Sequence, residues 1–221
     1  MVTVHHLNNS RSQRILWLLE ELGVPYELKK YQRDAKTMLA PPELRAVHPL
    51  GKSPVVTDEG KTLVESGAIV EYLLERYGEG RMLPKAGTPE RLRHTFWLHY
   101  AEGSMMPPLL LALVFNRVRT APMPFFVKPI ARGIADQVTK SFITPQLTTH
   151  LDFIEGELAK STWLAGDELT GADIMMSFPL EAAGSRGGLG ERPKVKDFVA
   201  RVHARPAYAK ALERGGKYDY A

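Results

Sequence analysis

The first residues of this sequence able to do chemistry stand together in the turn Asn8-Asn9-Ser10-Arg11-Ser12, within HLNNSRSQRILWLLEELG. Small polar side chains in a turn that opens a helix have two uses. They cap the free N–H groups of the first helical turn, or they hold a charged small molecule there. Two later stretches pose the same choice. In His48-Pro49-Leu50-Gly51-Lys52-Ser53-Pro54-Val55-Val56, Pro54 cannot donate to a sheet ladder and belongs at the mouth of a strand or on an edge. With a cis bond before Pro54 the chain reverses and Ser53 exposes both its N–H and C=O. Such a pair can hold a peptide ligand as an added strand; otherwise Pro54 merely starts the strand. In Val64-Glu65-Ser66-Gly67-Ala68-Ile69, Glu65 and Ser66 stand at a helix entrance, where N–H groups and the dipole favour a carboxylate. Ser66 offers that carboxylate a hydroxyl and Glu65 accepts from an ammonium group, which suits an α-amino acid head. Capping by Ser66 is the plainer alternative.

The elements that must position these residues follow from pattern. Val2 to Leu7 alternates as a strand, with Val2 and Val4 on one face and His5 and His6 on opposite faces. Ile15, Leu18, Leu19 and Leu22 form a helical stripe that ends at Gly23, with Pro25 beyond. Tyr26 to Tyr31 reads as a second strand. After a segment around Ala40-Pro41-Pro42-Glu43-Leu44, Pro54–Thr57 and Thr62–Val64 form a hairpin across Asp58-Glu59-Gly60-Lys61. Ser66 then caps a helix whose Ile69, Val70, Leu73 and Tyr77 share a face. The order is β-α-β-α-β-β-α. Residues 78–87 are turn-rich, and strand signals stop beyond them. Thr88-Pro89 starts a helix; helical patterns cover 89–118 and 125–160, interrupted at Pro107-Pro108 and at Ala121-Pro122-Met123-Pro124, then 171–184, 193–204 and 206–214. The division is a mixed α/β domain over 1–80, a linker over 81–88 and an all-helical domain over 89–221.

Composition excludes several kinds of chemistry. The chain has 221 residues, 44% of them hydrophobic and 24% charged, which is enough for one large domain or two small ones with real cores. It contains no cysteine, so disulfides, thiolate metal sites and a protein-thiol nucleophile are absent. The formal net charge of +4 is spread among interleaved acidic residues rather than gathered on one face, which argues against nucleic acid. No apolar run has the length of a membrane span, and Met1 to Leu7 lacks the features of a signal peptide; a cytoplasmic location is expected. The seven histidines show no HExxH spacing, and no metal is expected. The glycine-rich Gly184 to Gly190 follows a helix and reads as a turn, not a nucleotide loop.

Taken jointly, the polar turn, the Pro-led strand, the hairpin and the Glu-Ser helix start resemble the thioredoxin-like domain of the glutathione transferases. The helical remainder is similar to that family too. Leu169-Thr170-Gly171-Ala172-Asp173-Ile174 looks like its buried capping box, with Thr170 at the N-cap and Asp173 three residues on. Val202-His203-Ala204-Arg205-Pro206-Ala207-Tyr208 is similar to its last helices. The resemblance spans nearly the whole chain. It implies a thioredoxin-like α/β domain followed by a helical bundle, a homodimer, glutathione as co-substrate, and Pro54, Thr170 and Asp173 in structural roles.

By the same resemblance, Lys52 faces the glycine carboxylate of glutathione, Ser53 pairs its backbone with the cysteinyl portion, and Glu65 and Ser66 take the γ-glutamyl end. His48 stands where the family often has Asn, and Ser53 where Val or Ile is usual; a backbone role does not depend on that side chain. In serine-type members a hydroxyl of the first turn donates to the glutathione sulfur. Ser10 precedes the helix and lies four residues before Arg14, as in that pattern, with Asn9 and Ser12 as neighbouring alternatives. The second substrate is expected between the domains, where Tyr100, Met106 and Leu110, with Met105, Leu109, Phe115, Phe125 and Phe126 nearby, form an adaptable apolar wall. The implied activity is conjugation of the glutathione thiolate to apolar electrophiles. Glutathione-dependent peroxidase or disulfide reductase activity, non-catalytic glutathione binding and apolar-ligand carriage are the alternatives.

Overall fold

The computed structural model describes residues 1–185 and 188–221. Arg186 and Gly187, part of the glycine-rich stretch read as a turn, lie outside the described residues. The chain begins β1 (Val2–Leu7), α1 (Ser12–Leu22), β2 (Tyr26–Tyr31), α2 (Pro42–Val47), β3 (Val55–Asp58), β4 (Lys61–Val64) and α3 (Ser66–Tyr77). The four strands form one mixed sheet in the order β2-β1-β3-β4. β1 runs parallel to β2, with Val4 opposite Leu28, and antiparallel to β3, with Val4 opposite Val56. The β3–β4 hairpin turns on Glu59 and Gly60, both at positive φ, as a tight two-residue turn between twisted strands requires.

β1 is buried from end to end, because both faces of the sheet are covered. Val2 and Val4 join the main core with α1 and α3, whereas Leu7 packs in a smaller cluster with Leu44 of α2 and Val55. The helix α1 carries more burial than its apolar stripe suggests: Ser12, Gln13 and Arg14 are enclosed along with Ile15 to Leu19. It ends where expected, with Gly23 left-handed and its N–H bonded to Glu20 O, while Val24 N–H reaches Leu19 O.

Among the described residues beyond 88 every regular element is helical: α4 (Pro89–Tyr100), α5 (Met106–Thr120), α6 (Lys128–Val138), α7 (Thr144–Leu158), α8 (Gly171–Gly184), α9 (Pro193–His203) and α10 (Pro206–Gly215). Thr88 caps α4, accepting from Arg91 N–H. Pro107-Pro108 do not interrupt this region as expected. A π-helical turn over Ala101–Met105 joins α4 to α5 and carries the chain through them. Prolines lack the N–H that an α-helical ladder uses, and a widened turn accommodates the loss. The same device, Thr139–Ile143, precedes Pro145 between α6 and α7. The prolines at 122 and 124 do end a helix, and residues 121–127 are non-helical. Thr170 and Asp173 form the expected capping box on α8: Asp173 accepts from Thr170 N–H (2.8 Å), and its other oxygen accepts from Leu164 N–H (2.9 Å). Among the described residues no helix is long and apolar enough to cross a membrane.

Candidate active site

The turn from β1 into α1 places three hydroxyls in contact. Ser10 Oγ lies 2.7 Å from Ser12 Oγ and 3.3 Å from Ser53 Oγ. Ser53 Oγ donates to His5 O (3.1 Å) and accepts from Leu7 N–H (3.3 Å), which fixes its loop against the end of β1. The Ser53–Pro54 bond is cis, and among the described residues the Ser53 N–H and C=O bond to no other group of the chain. The loop that carries this unpaired backbone touches the Ser10 hydroxyl through Ser53 Oγ.

Ser10 and Ser12 are both buried. Ser12 is the first residue of α1; the N-cap position is Arg11, which makes no side-chain capping bond. Ser10 Oγ accepts from Ser12 N–H (3.3 Å). On the far side of Ser12, its Oγ meets His6 Nδ1 at 2.8 Å. Burial, and secondarily Lys30, pushes His6 down to about 4, so the ring is neutral at ordinary pH. Asn9, the other candidate of the turn, is turned away: its amide donates to Asp219 Oδ2 (2.6 Å) and its carbonyl oxygen accepts from Asp219 N–H (2.9 Å), tying down the C-terminal segment.

Ser66 does not cap α3, contrary to the sequence expectation. It is the first residue of the helix, and the N-cap is Glu65, which makes no capping bond. Inside the cap position, Ser66 Oγ instead accepts from Arg14 Nη2 (3.0 Å). Because a guanidinium has only donors, the Ser66 proton is left free to point elsewhere. Arg14 is buried; its Nη1 donates to Met175 O (2.7 Å) and its Nη2 also meets Glu102 Oε1 at 2.6 Å. Arg11 Nε pairs with the same carboxylate at 3.0 Å. Burial alone would push Glu102 up, but Arg14 and Arg11 outweigh it and hold its carboxyl below the usual range. This ionic knot joins the first turn of α1, the start of α3, the π-helical turn after α4 and α8.

Glu65 is exposed at φ 70°, a left-handed conformation that side chains rarely adopt. It stands at the N-cap of α3 and makes no side-chain capping bond there. Lys52 is exposed beside Ser53, and His48 is half-buried, its Nδ1 3.4 Å from Leu50 N–H. In the helical half, the Tyr100 hydroxyl bonds to His150 Nδ1 of α7, and burial pushes it up to about 12. Met106 is nearly buried and Leu110 is half exposed on α5. The structure thus joins Ser10, Ser12 and Ser53 directly and ties Ser66 to them through α1, while Tyr100 is turned toward α7. In the sequence Arg14 served only as a spacing mark for Ser10 and His6 only as a strand residue, and Glu102 went unnoticed. An arginine beside Ile15 at the start of an apolar helix was the one available signal. The partners of Glu102 lie 88 and 91 residues away and leave no local pattern.

The two halves match separate family models. Residues 1–75 match the glutathione S-transferase N-terminal domain, and residues 122–206 match its C-terminal domain. The chain is similar to glutathione S-transferase 1 of Saccharomyces cerevisiae, 34% identical over 97% of this chain and 95% of that one. It is 37% identical to glutathione S-transferase 3 of Schizosaccharomyces pombe over 97% and 88% of the two chains. A crystal structure of a glutathione S-transferase from Actinobacillus pleuropneumoniae superposes with a TM-score of 0.83 at 36% identity, covering 100% of this chain and 95% of that one. The chain belongs to the glutathione S-transferase family and is a transferase enzyme with glutathione as its co-substrate.

Proposed function

We propose that this transferase holds glutathione along Ser53 and the N-terminus of α3, with Ser10 donating a hydrogen bond to the sulfur. The observation that carries the reading is the buried Ser10 hydroxyl, in contact with the loop whose Ser53 backbone is free. The cysteinyl N–H and C=O of glutathione pair with that backbone as a short added strand. Its γ-glutamyl carboxylate meets Ser66 and the free N–H groups of α3, its ammonium meets Glu65, and Lys52 takes the glycine carboxylate. His48, half-buried before the same loop, is a weaker contact to glutathione.

The energetics need no base. A free thiol with pKa about 8.5 is only a few per cent ionised at neutral pH. Lowering it by about two units takes about 2.7 kcal/mol, and a hydrogen bond to a charged group supplies about 1.5–3 kcal/mol. The N-terminus of α1 adds to this. The thiolate then attacks an electrophilic carbon of an apolar compound lodged between the 1–80 and 89–221 domains, beyond the 81–88 linker. Met106 and Leu110 belong to that wall; Tyr100 contributes its ring edge rather than its hydroxyl. The protein works as a cytoplasmic homodimer without nucleic-acid or membrane partners. The exposed Leu92 and Phe96 of α4 and Phe153 of α7 suit a subunit contact.

The test is the ultraviolet absorbance of bound glutathione against pH. In the wild type a thiolate band appears well below the free value; in Ser10→Ala the midpoint moves up by about two units while glutathione remains bound. Bound glutathione that titrates as in water in the wild type overturns the reading.

A further inference from the structure

Ser10 is the middle of a longer chain of hydrogen bonds, and the direction of that chain decides what Ser10 can do. A hydroxyl has one proton and two lone pairs. Ser10 Oγ already accepts from Ser12 N–H, 3.3 Å away. If the Ser12 hydroxyl also donates across the 2.7 Å contact, both lone pairs are used and only the Ser10 proton is left to offer. If instead Ser10 donates to Ser12, its proton is spent inside the protein and none is left for a sulfur. Which arrangement holds is set one residue further along, at the 2.8 Å contact between Ser12 Oγ and His6 Nδ1. A ring N–H at Nδ1 occupies a Ser12 lone pair and leaves the Ser12 proton for Ser10 at 2.7 Å, in preference to its other acceptor, Leu7 O, at a long 3.5 Å. A bare Nδ1 takes that proton and reverses the chain.

We propose that His6, as the neutral tautomer protonated at Nδ1, and Ser12 are positioning residues that run the chain His6 Nδ1–H → Ser12 Oγ–H → Ser10 Oγ–H in one direction, so that Ser10 presents a donor to the glutathione sulfur. The proposal deepens the reading of Ser10 as the thiol partner and rests on it. The outward end of the chain is consistent with the rest of the site. The remaining neighbour of Ser10 is Ser53 Oγ, at a long 3.3 Å, and Ser53 sends its own proton to His5 O. Ser53 is therefore an acceptor that a thiolate, a stronger acceptor, displaces. Burial keeps the ring neutral, which leaves a tautomer rather than a charge to be selected. Hydrogen bonds aligned head to tail polarise one another, so each upstream donor strengthens the next.

Two measurements test this. The first needs no variant: nitrogen chemical shifts of the His6 ring in the glutathione-bound protein report the tautomer directly. Protonation at Nδ1 is expected, and a ring protonated only at Nε2 overturns the proposal. The second is the thiol titration in Ser12→Ala, Ser10→Ala and the double variant, each checked for fold by circular dichroism and for glutathione affinity. Ser12→Ala raises the midpoint by about one unit, equivalent to about tenfold less thiolate below both midpoints, and at a pH below both midpoints the dissociation constant of glutathione is unchanged within about twofold. Ser12→Thr keeps the hydroxyl and restores the wild-type midpoint. Adding Ser12→Ala to Ser10→Ala moves nothing further, because Ser12 acts through Ser10. Equal shifts from Ser12→Ala in both backgrounds, or none in the wild-type background, overturn the relay while leaving Ser10 in place. A Ser10→Ala protein with an unshifted midpoint removes Ser10 itself and the relay with it.

Discussion

Glu65 carries a conflict between stability and binding in one residue. Its φ of 70° is a conformation that costs a non-glycine residue about 1–3 kcal/mol and persists where the surroundings impose it, often at ligand clamps. Glycine adopts that angle without penalty, so Glu65→Gly is expected to raise unfolding free energy by about 1 kcal/mol, after the extra flexibility it gives the unfolded chain. The same change removes the carboxylate proposed for the ammonium group of glutathione. Chemical denaturation and glutathione titration calorimetry of one variant then move in opposite directions; a variant that loses both stability and affinity rules out strain at this position. Single residues of the site were legible to different degrees. The turn hydroxyls, the Pro54 loop and the Glu65-Ser66 pair each had an ordinary reading as a cap or a strand start, and stood out only because the three occur together in one order. The capping role read for Ser66 failed because the helix begins at Ser66 itself, with Glu65 at the N-cap, and its oxygen accepts from Arg14, 52 residues distant in sequence.

At the scale of elements, the Arg14–Glu102 knot joins the sheet half to the helical half, and its two members are not equivalent. Arg14 is buried, whereas about a third of the Glu102 side chain is exposed, 1% against 32%. Removing Glu102 leaves a guanidinium in the interior with the uncharged acceptors Met175 O, Ser66 Oγ and, at 3.5 Å, Arg11 O, and an uncompensated buried charge costs about 3–5 kcal/mol. Removing Arg14 leaves a carboxylate that water and Arg11 still serve. Glu102→Ala is therefore expected to destabilise by about 3–5 kcal/mol, and Arg14→Met, which keeps the packed volume, by about half as much. Equal losses in urea unfolding remove the burial argument. Arg14→Met also releases Ser66, so its glutathione affinity falls while its stability loss stays modest. Element order from β1 to α3 was readable because glycines and prolines punctuate short strands. What α1 buries was not readable. The stripe Ile15, Leu18, Leu19 and Leu22 records one face, whereas the enclosure of Ser12 to Arg14 is created by α8 and α10, which arrive much later in the chain. Likewise Pro107-Pro108 looked like a break because propensity sees the lost N–H and not the π-helical turn that absorbs it.

The whole molecule is built with buried titratable groups whose balance sets its response to acid. His94 of α4 is enclosed beneath Gly171, and among the described residues neither of its ring nitrogens has a partner. Burial, with Arg91 nearby, pushes it from 6.5 down to about 4, and burial lowers His6 to a similar value. A base with a depressed folded pKa contributes stability that is complete above its unfolded value and is lost as pH falls toward the folded one. Both histidines therefore weaken the fold between about pH 6.5 and 4. Asp173 opposes them. Burial raises it to about 6 against its hydrogen bonds, so the stability it contributes is present at low pH and lost as pH rises through that value. Burial lowers His5 and His150 as well, so the protons taken up by the unfolded chain outnumber the one taken up by Asp173 in the folded protein, and the net effect of acid is destabilising. At pH 5 His94 alone accounts for about 2 kcal/mol of that loss. His94→Leu abolishes its titration and fills the same apolar space, so the fall in unfolding free energy between pH 7.5 and pH 5 is expected to shrink by about that amount. Asp173→Asn removes the opposing group and makes the fall steeper, on top of a lower baseline from the damaged capping box. Urea unfolding of the three proteins at the two pH values separates these effects; a His94→Leu protein that loses as much stability at pH 5 as the wild type shows that His94 is charged or solvated in the folded state.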